Sequence, residues 1–75
     1  MLDEYGLLAA LRWYAGVWSA RVNVSVNVAG RDPTPRLSSH VAIMMFRIVQ
    51  EALANTARHA QATRVYVRLV QRGGI

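Results

Sequence analysis

The sequence predicts an α/β fold of the two-layer α+β kind, with the element order helix, strand, helix, strand. Two short segments alternate strictly between apolar and polar residues, which is typical of half-buried strands. Each of them follows a longer segment in which apolar residues recur at helical spacing. The 75 residues, which include no cysteine, leave room for one small domain whose core contributes roughly 3–5 kcal/mol of net stability.

The first half of the chain predicts a helix over about residues 3–20 and a strand over 21–28. The helix prediction depends on apolar residues at helical spacing: Leu7, Leu8, Leu11, Ala15 and Trp18. Aromatic residues of this helix are interpreted as packing residues and not as a base-stacking platform: Trp13, Tyr14 and Trp18. The strand prediction depends on valines that share one face: Val22, Val24, Val26 and Val28.

The second half predicts a loop over 29–37, a helix over 38–60 and a strand over 63–70. Glycine and proline mark the loop, and Ser38 or Ser39 is a plausible N-cap of the helix. Gly73-Gly74 is a strong turn signal followed by Ile75 alone, which suggests a truncated chain without the returning strand, and a frayed glycine tail fits this signal equally well. Because two strands alone form a marginal sheet, we expect a homo-oligomer in which self-association completes it.

The second predicted helix carries polar side chains on one face. At about 100° per residue, four of them share a sector: Arg47, Glu51, Asn55 and Arg58. Apolar residues lie opposite: Ala42, Phe46, Val49, Leu53 and Ala60. The oxygens of Glu51 and Asn55 are one turn apart, within reach of one hydrated Mg²⁺, and Arg58 could bind a phosphate through its fork of donors. Spacing alone favours the alternative of a solvated face of (i, i+3) and (i, i+4) pairs.

The segment Phe46-Arg-Ile-Val-Gln-Glu-Ala-Leu-Ala-Asn-Thr-Ala-Arg-His-Ala60 resembles the N-box helix of sensor histidine kinases. It is most similar to the subfamily that works with response regulators carrying a helix-turn-helix output domain. Residues 62–69 match the next strand of that subfamily, and residues 2–12 are similar to the helix after its dimerisation hairpin. The resemblance covers nearly the whole chain. It implies the N-terminal half of a GHKL (Bergerat) ATP-binding domain, which is a partial two-layer sandwich.

The resemblance implies a role for each polar residue of the motif. Asn55 would be the Mg²⁺ ligand that anchors the phosphates of ATP, so that ATP and Mg²⁺ are the implied cofactors. Glu51 would be the catalytic residue, placed next to that Mg²⁺ or orienting a water near it. Arg58 would contact a phosphate. His59 would lie near the ribose or the phosphates, although a histidine that satisfies the last carbonyls of the helix fits equally well.

Parts of the family's machinery have no counterpart among these residues. In the family, the phosphoacceptor histidine lies upstream of this segment, and the Asp-x-Gly-x-Gly box, the second glycine-rich loop and the ATP lid lie downstream. The chain is therefore expected to be a piece of the domain that lacks kinase activity on its own. The parent protein would bind ATP in the cytoplasm, phosphorylate a histidine and pass the phosphoryl group to a response regulator.

The basic residues leave a second function open. All nine are arginines, giving a net charge of +5, and their even spread is typical of solvated surface charges. Three of them follow the last strand and its exit: Arg64, Arg68 and Arg72. An oligomer could present these three to an acidic partner or to a nucleic acid, and the single nearby aromatic residue makes nucleic acid the weaker choice. Direct membrane contact is not expected, because no apolar run approaches the ~20 residues that span a bilayer.

Overall fold

The computed structural model describes residues 2–59, 61 and 63–71, and at positions 2–5 and 59 it describes the backbone alone. Four elements follow one another: helix α1 (Leu2–Val22), strand β1 (Ser25–Gly30), helix α2 (Ser39–His59) and strand β2 (Arg64–Leu69). The two strands form a parallel sheet, and α2 provides the long crossover that a parallel pair requires. The predicted α+β class and the order of elements are confirmed.

The boundary between α1 and β1 differs from the predicted one. α1 continues to Val22 instead of ending at residue 20, and β1 begins at Ser25 instead of residue 21. Asn23 adopts the left-handed conformation with φ 58°, its N–H donates to the Ser19 carbonyl at 2.9 Å, and the Ser19 hydroxyl donates to the Val24 carbonyl. This local cap outweighs the strand-like alternation, because asparagine tolerates the left-handed conformation better than most residues.

Close approach of the two backbones ends the sheet. The register runs from Ser25 opposite Arg64 to Gly30 opposite Leu69. Gly30 has φ 123°, and a Cβ built there would lie 2.1 Å from the Leu69 carbonyl oxygen. Only glycine fits this position. β1 extends to residue 30 and not to the predicted 28, and the loop therefore begins at residue 31 instead of 29. β2 lies within the predicted 63–70.

Side-chain hydrogen bonds attach the loop between β1 and α2 to the elements around it. α1 is interrupted at Gly6 (φ 85°, ψ 173°), and just after this break the Leu8 N–H donates to Asp32 Oδ1 at 2.9 Å. Asp32 thereby satisfies a donor that lacks a helical partner at the start of a helical segment. Gln71, just after β2, bonds both the N–H and the carbonyl of Thr34 at 3.0 Å.

Helix α2 begins at the predicted serine pair. The Val41 N–H donates to Ser38 Oγ at 3.3 Å, and the Ala42 N–H donates to the Ser38 carbonyl at 3.0 Å. Ser38 is therefore the N-cap, because its side chain accepts from the third helical residue. The helix covers Ser39–His59 instead of 38–60, and Ala60 lies outside the described residues.

One apolar cluster joins both helices to the sheet. Its buried members are Leu7, Leu8, Leu11 and Leu69, and half-buried residues pack against them: Val28, Leu37, Met45, Phe46 and Val49. Tyr14 contacts Phe46 edge to face with ring centroids 5.6 Å apart, a favoured aromatic geometry. Trp18 is buried, but Trp13 is 56% exposed, so the interpretation of Trp13 as a packing residue is wrong.

Three expectations about the surroundings of the fold have different outcomes. Neither described helix is long and apolar enough to cross a membrane. The turn predicted at Gly73-Gly74 lies outside the described residues. Completion of the sheet by a second copy stays a prediction.

Substitution of Gly30 by alanine should destabilise the fold. The new Cβ would meet the Leu69 backbone, and the positive φ adds strain, so we expect a loss of at least about 2 kcal/mol in the free energy of unfolding. Urea denaturation monitored by circular dichroism measures it. Gly16→Ala is the matched control: a Cβ there meets nothing within 4 Å, and alanine should stabilise helix α1 by about 0.5–1 kcal/mol. Equal effects of the two variants would contradict the argument.

Removal of the Asp32 cap should loosen the start of α1. We expect Asp32→Ala to lower the free energy of unfolding by about 1 kcal/mol, the usual effect of losing a capping oxygen. Asp32→Asn keeps an oxygen acceptor and should lose less. Hydrogen exchange of the Leu8 amide provides the site-specific measurement, and unchanged protection in Asp32→Ala would show that the bond contributes nothing.

Candidate functional site

Helix α2 is divided into a buried face and a polar face. The polar face consists of four exposed residues: Arg47, Glu51, Asn55 and Arg58. On the opposite side Ala42 and Leu53 are buried, and Phe46 and Val49 are half-buried against the core. The predicted division of the helix is confirmed for these residues. Because the apolar side is fixed against the sheet and α1, the polar face is held toward solvent.

Asn55 and Arg58 are in direct contact on this face. Arg58 Nη2 donates to Asn55 Oδ1 at 2.9 Å, and both side chains are exposed. This is an (i, i+3) pair of the kind that a solvated face also forms. It orients the amide so that its oxygen, the atom proposed as a metal ligand, faces the guanidinium. A cation bound to this oxygen would repel the guanidinium beside it, so cation binding would favour movement of Arg58 away from Asn55.

Glu51 lies next to this pair in a shallow, open depression. Its lining comprises Arg47, Gln50, Glu51, Ala54 and Arg58. Two guanidiniums and one carboxylate therefore border the same hollow, and within the described part of the chain no ion pair neutralises Glu51. Such an arrangement offers donors to an anion and a carboxylate that can accept from a water or a hydrated cation.

The histidines contribute less to this picture. His59 is the last residue of α2, and its side chain lies outside the described residues, so the predicted contact with ribose or phosphate stays a prediction. His40, to which no chemistry is assigned, is exposed in the first turn of α2, about 22 Å along the helix axis from Asn55 at 1.5 Å per residue.

The donor set fits a magnesium-bound phosphate better than a free metal ion. Among the described residues, no three His, Cys, Asp or Glu side chains lie together in a way that could hold a metal. Mg²⁺ is usually bound by one or two protein oxygens, with waters and substrate phosphates completing its shell. Asn55 could provide one such oxygen, Glu51 could bond a coordinated water, and Arg47 and Arg58 could provide positive charge for phosphate oxygens.

Gln50 is a member of the depression that the sequence analysis did not select. It precedes Glu51 and lies three residues after Arg47 and four before Ala54, so helical neighbours bring it to the same hollow. Gln50 lies at the rim between the polar face and the buried face. Helical spacing did not group it with the polar face, because a helical projection separates it from Glu51 by about 100°. Its amide can both donate and accept.

Comparisons with known proteins identify the family of the chain. The chain is 37% identical over 68 residues to the signal transduction histidine-protein kinase/phosphatase DegS of Brevibacillus brevis, covering 91% of this chain and 18% of that protein. It is 36% identical over 70 residues to the nitrate/nitrite sensor protein NarX of Escherichia coli, covering 93% and 12% respectively. It is also 34% identical over 68 residues to the oxygen sensor histidine kinase NreB of Staphylococcus carnosus, covering 91% and 20%. The chain belongs to the sensor histidine kinase family.

Membership in this family rests on sequence similarity across nearly the whole chain. The chain spans a fifth or less of the length of these three kinases. No protein-family model matches the chain, and no solved structure matches it. The family therefore places the chain in a histidine kinase, and the role of each residue on the polar face has to be argued from its chemistry.

Replacing Asn55 by alanine should leave the stability of the fold nearly unchanged. Alanine is the better helix former by up to about 0.7 kcal/mol, which offsets the 0.2–0.5 kcal/mol typical of an exposed helical side-chain pair. We expect a change of less than about 0.5 kcal/mol in urea denaturation. Leu53→Ala, in the same helix but buried, should cost about 2–5 kcal/mol and shows that the assay responds. A large loss in Asn55→Ala would indicate a structural role.

Proposed function

We propose that the polar face of α2 binds the phosphates of Mg-ATP in the nucleotide-binding region of a sensor histidine kinase. The observation that supports this most directly is the exposed Asn55–Arg58 pair beside Glu51. The pair joins an amide oxygen to a guanidinium, and Arg58 borders the same depression as the Glu51 carboxylate, in a chain whose relatives are sensor histidine kinases. A solvated face without a ligand would not require an asparagine, which is a weaker helix former than alanine.

Each residue would do a distinct task. Asn55 would bind Mg²⁺ through Oδ1, while waters and phosphate oxygens occupy the remaining positions. Glu51 would accept a hydrogen bond from one of those waters and hold its orientation. Arg58 would donate to a phosphate oxygen, and His59, next along the chain, would approach the phosphates or the ribose.

Binding would require Arg58 to exchange its partner. Its Nη2 donates to Asn55 Oδ1, and the same oxygen is needed for the cation. An exposed side-chain pair of this kind is worth a few tenths of a kcal/mol, so its loss is a small cost. Movement of the guanidinium to a phosphate would free the Asn55 oxygen and form a stronger, charge-assisted hydrogen bond in its place.

The second part of the proposal concerns the phosphoryl transfer that the parent kinase would catalyse. ATP bound at this helix would supply the phosphoryl group for a histidine elsewhere in the kinase, and a response regulator would receive it, in the cytoplasm. The residues of this chain would position the nucleotide. Because phosphoryl transfer depends mainly on positioning and charge stabilisation, they would contribute by orienting the phosphates.

Calorimetric titration of Mg-ATP into the chain and its variants tests the proposal. Asn55→Ala should weaken binding roughly ten- to hundredfold, the effect of losing one interaction with a charged partner. The matched control is Asn27→Ala, the same chemical change at an exposed position of β1, which should leave the affinity unchanged. Equal, measurable affinity of the two variants would reject the assignment of Asn55.

Titration of ATP with the cation removed by a chelator separates the two roles. The effect of Asn55→Ala should then disappear, because Asn55 is proposed to act through Mg²⁺. Arg58→Ala should still weaken binding, because its contact is with the phosphate itself. If Asn55→Ala weakens binding equally with and without the cation, Asn55 does not act as a metal ligand.

A further inference from the structure

The outer face of the sheet, away from the core, carries a second exposed surface. We call it the basic face, and it consists of Ser25, Asn27 and Ala29 of β1 with Arg64, Tyr66 and Arg68 of β2. The register places these residues opposite each other as Ser25↔Arg64, Asn27↔Tyr66 and Ala29↔Arg68. All six are exposed. They alternate with the inward-facing Val26, Val28, Val65, Val67 and Leu69, which are buried or half-buried.

The basic face carries positive charge. Arg64 and Arg68 are its only charged members, and no described residue forms an ion pair with either of them. They are four residues apart along β2, which separates their Cα atoms by about 13 Å at the rise of a strand. A chain with a net charge of +5 adds to the positive potential of the face, and oppositely charged groups are attracted to such a surface.

Tyr66 lies between the two arginines and is 70% exposed. A tyrosine in this position offers a large apolar ring and a hydroxyl that can donate or accept. Its cross-strand neighbour is Asn27, an uncharged polar residue. Tyrosine and arginine, together with tryptophan, are the residues most often found at the energetic centre of protein–protein interfaces. The chain contains no lysine.

We propose that the basic face docks an acidic segment of another protein. The segment would present two carboxylates about 13 Å apart, as at positions i and i+4 of an extended chain, with an apolar side chain between them over Tyr66. Carboxylates fit arginine because its planar fork can donate two parallel hydrogen bonds. A nucleic acid fits less well, because single-strand binding uses several stacking aromatic residues and the described part of this face has one.

The expected complex is weak and transient. Six residues form a patch smaller than the roughly 800 Å² per partner of a stable interface, and exposed ion pairs contribute little individually. Binding should therefore weaken at high salt. The basic face lies on the opposite side of the sheet from α2, which packs through Met45, Phe46 and Val49 on the inner side. Docking is thus independent of the proposed nucleotide site.

The test uses a fluorescein-labelled peptide with the central sequence Glu-Ser-Leu-Ser-Glu. Fluorescence anisotropy with the full chain measures its affinity at low and at high salt. We expect the double variant R64Q/R68Q to weaken binding about three- to tenfold, and Tyr66→Ala to weaken it more than Tyr66→Phe. The matched control is R12Q/R21Q, which removes the same two charges from exposed positions of α1 and should leave the affinity within about twofold.

Three outcomes would overturn the proposal. Equal losses in R64Q/R68Q and R12Q/R21Q would mean that general attraction to a basic chain explains the binding. Unchanged binding of a peptide whose two glutamates are replaced by glutamine would show that the carboxylates are not recognised. Tighter, Tyr66-dependent binding of a labelled oligothymidylate than of the acidic peptide would assign the face to nucleic acid.

Discussion

The contact between the backbones of Gly30 and Leu69 is the constraint on which the other elements depend. At this point the two strands of the sheet approach so closely that no Cβ can be accommodated. The approach fixes the register of the parallel pair and places the Leu69 side chain among the leucines of α1. Because a parallel pair must be joined by a crossover, α2 lies across the same side and buries its apolar face there. The polar face of α2 is turned to solvent because the opposite, apolar face is buried against the core.

The helical backbone of α2 sets the positions of the four residues of the polar face, and burial of their side chains does not. Its four side chains are exposed, and one weak hydrogen bond joins two of them. In water, exposed charges attract a phosphate only modestly, since screening and a high dielectric constant reduce their interaction. The same four groups would bind far more strongly where other parts of a kinase exclude solvent from them. A rigid helix presenting adaptable side chains is well suited to such a shared site, because the backbone positions are set in advance.

Local sequence patterns predicted the helices and strands well where the apolar residues followed a single period, either that of a helix or that of a strand. The alternation of Val65, Val67 and Leu69 with exposed Arg64, Tyr66 and Arg68 located β2, and the serine pair located the start of α2 within one residue. The residues around Asn23 were misassigned. Asn23 adopts the left-handed conformation and caps α1, so Val22, the first valine of the alternating run, belongs to the helix and not to the strand. The break of α1 at Gly6 and its cap by Asp32 lay beyond local patterns altogether, since the two residues are distant in sequence. For the site, spacing identified the polar face but missed Gln50 and could not foresee that Arg58 bonds the very oxygen proposed for the cation.

The loop between β1 and α2 is mostly exposed, and hydrogen bonds attach it to the rest of the fold at two separate points. Asp32 hydrogen-bonds at the break in α1. Two residues later, the main chain of Thr34 bonds the side chain of Gln71 beyond β2. Each contact requires a set number of residues between the end of the sheet and the attachment. Surface loops usually accept insertions freely, but one added residue here would carry Asp32 or Thr34 past its partner. Natural variation in this loop should therefore conserve its length and the Asp32 carboxylate while changing its other side chains.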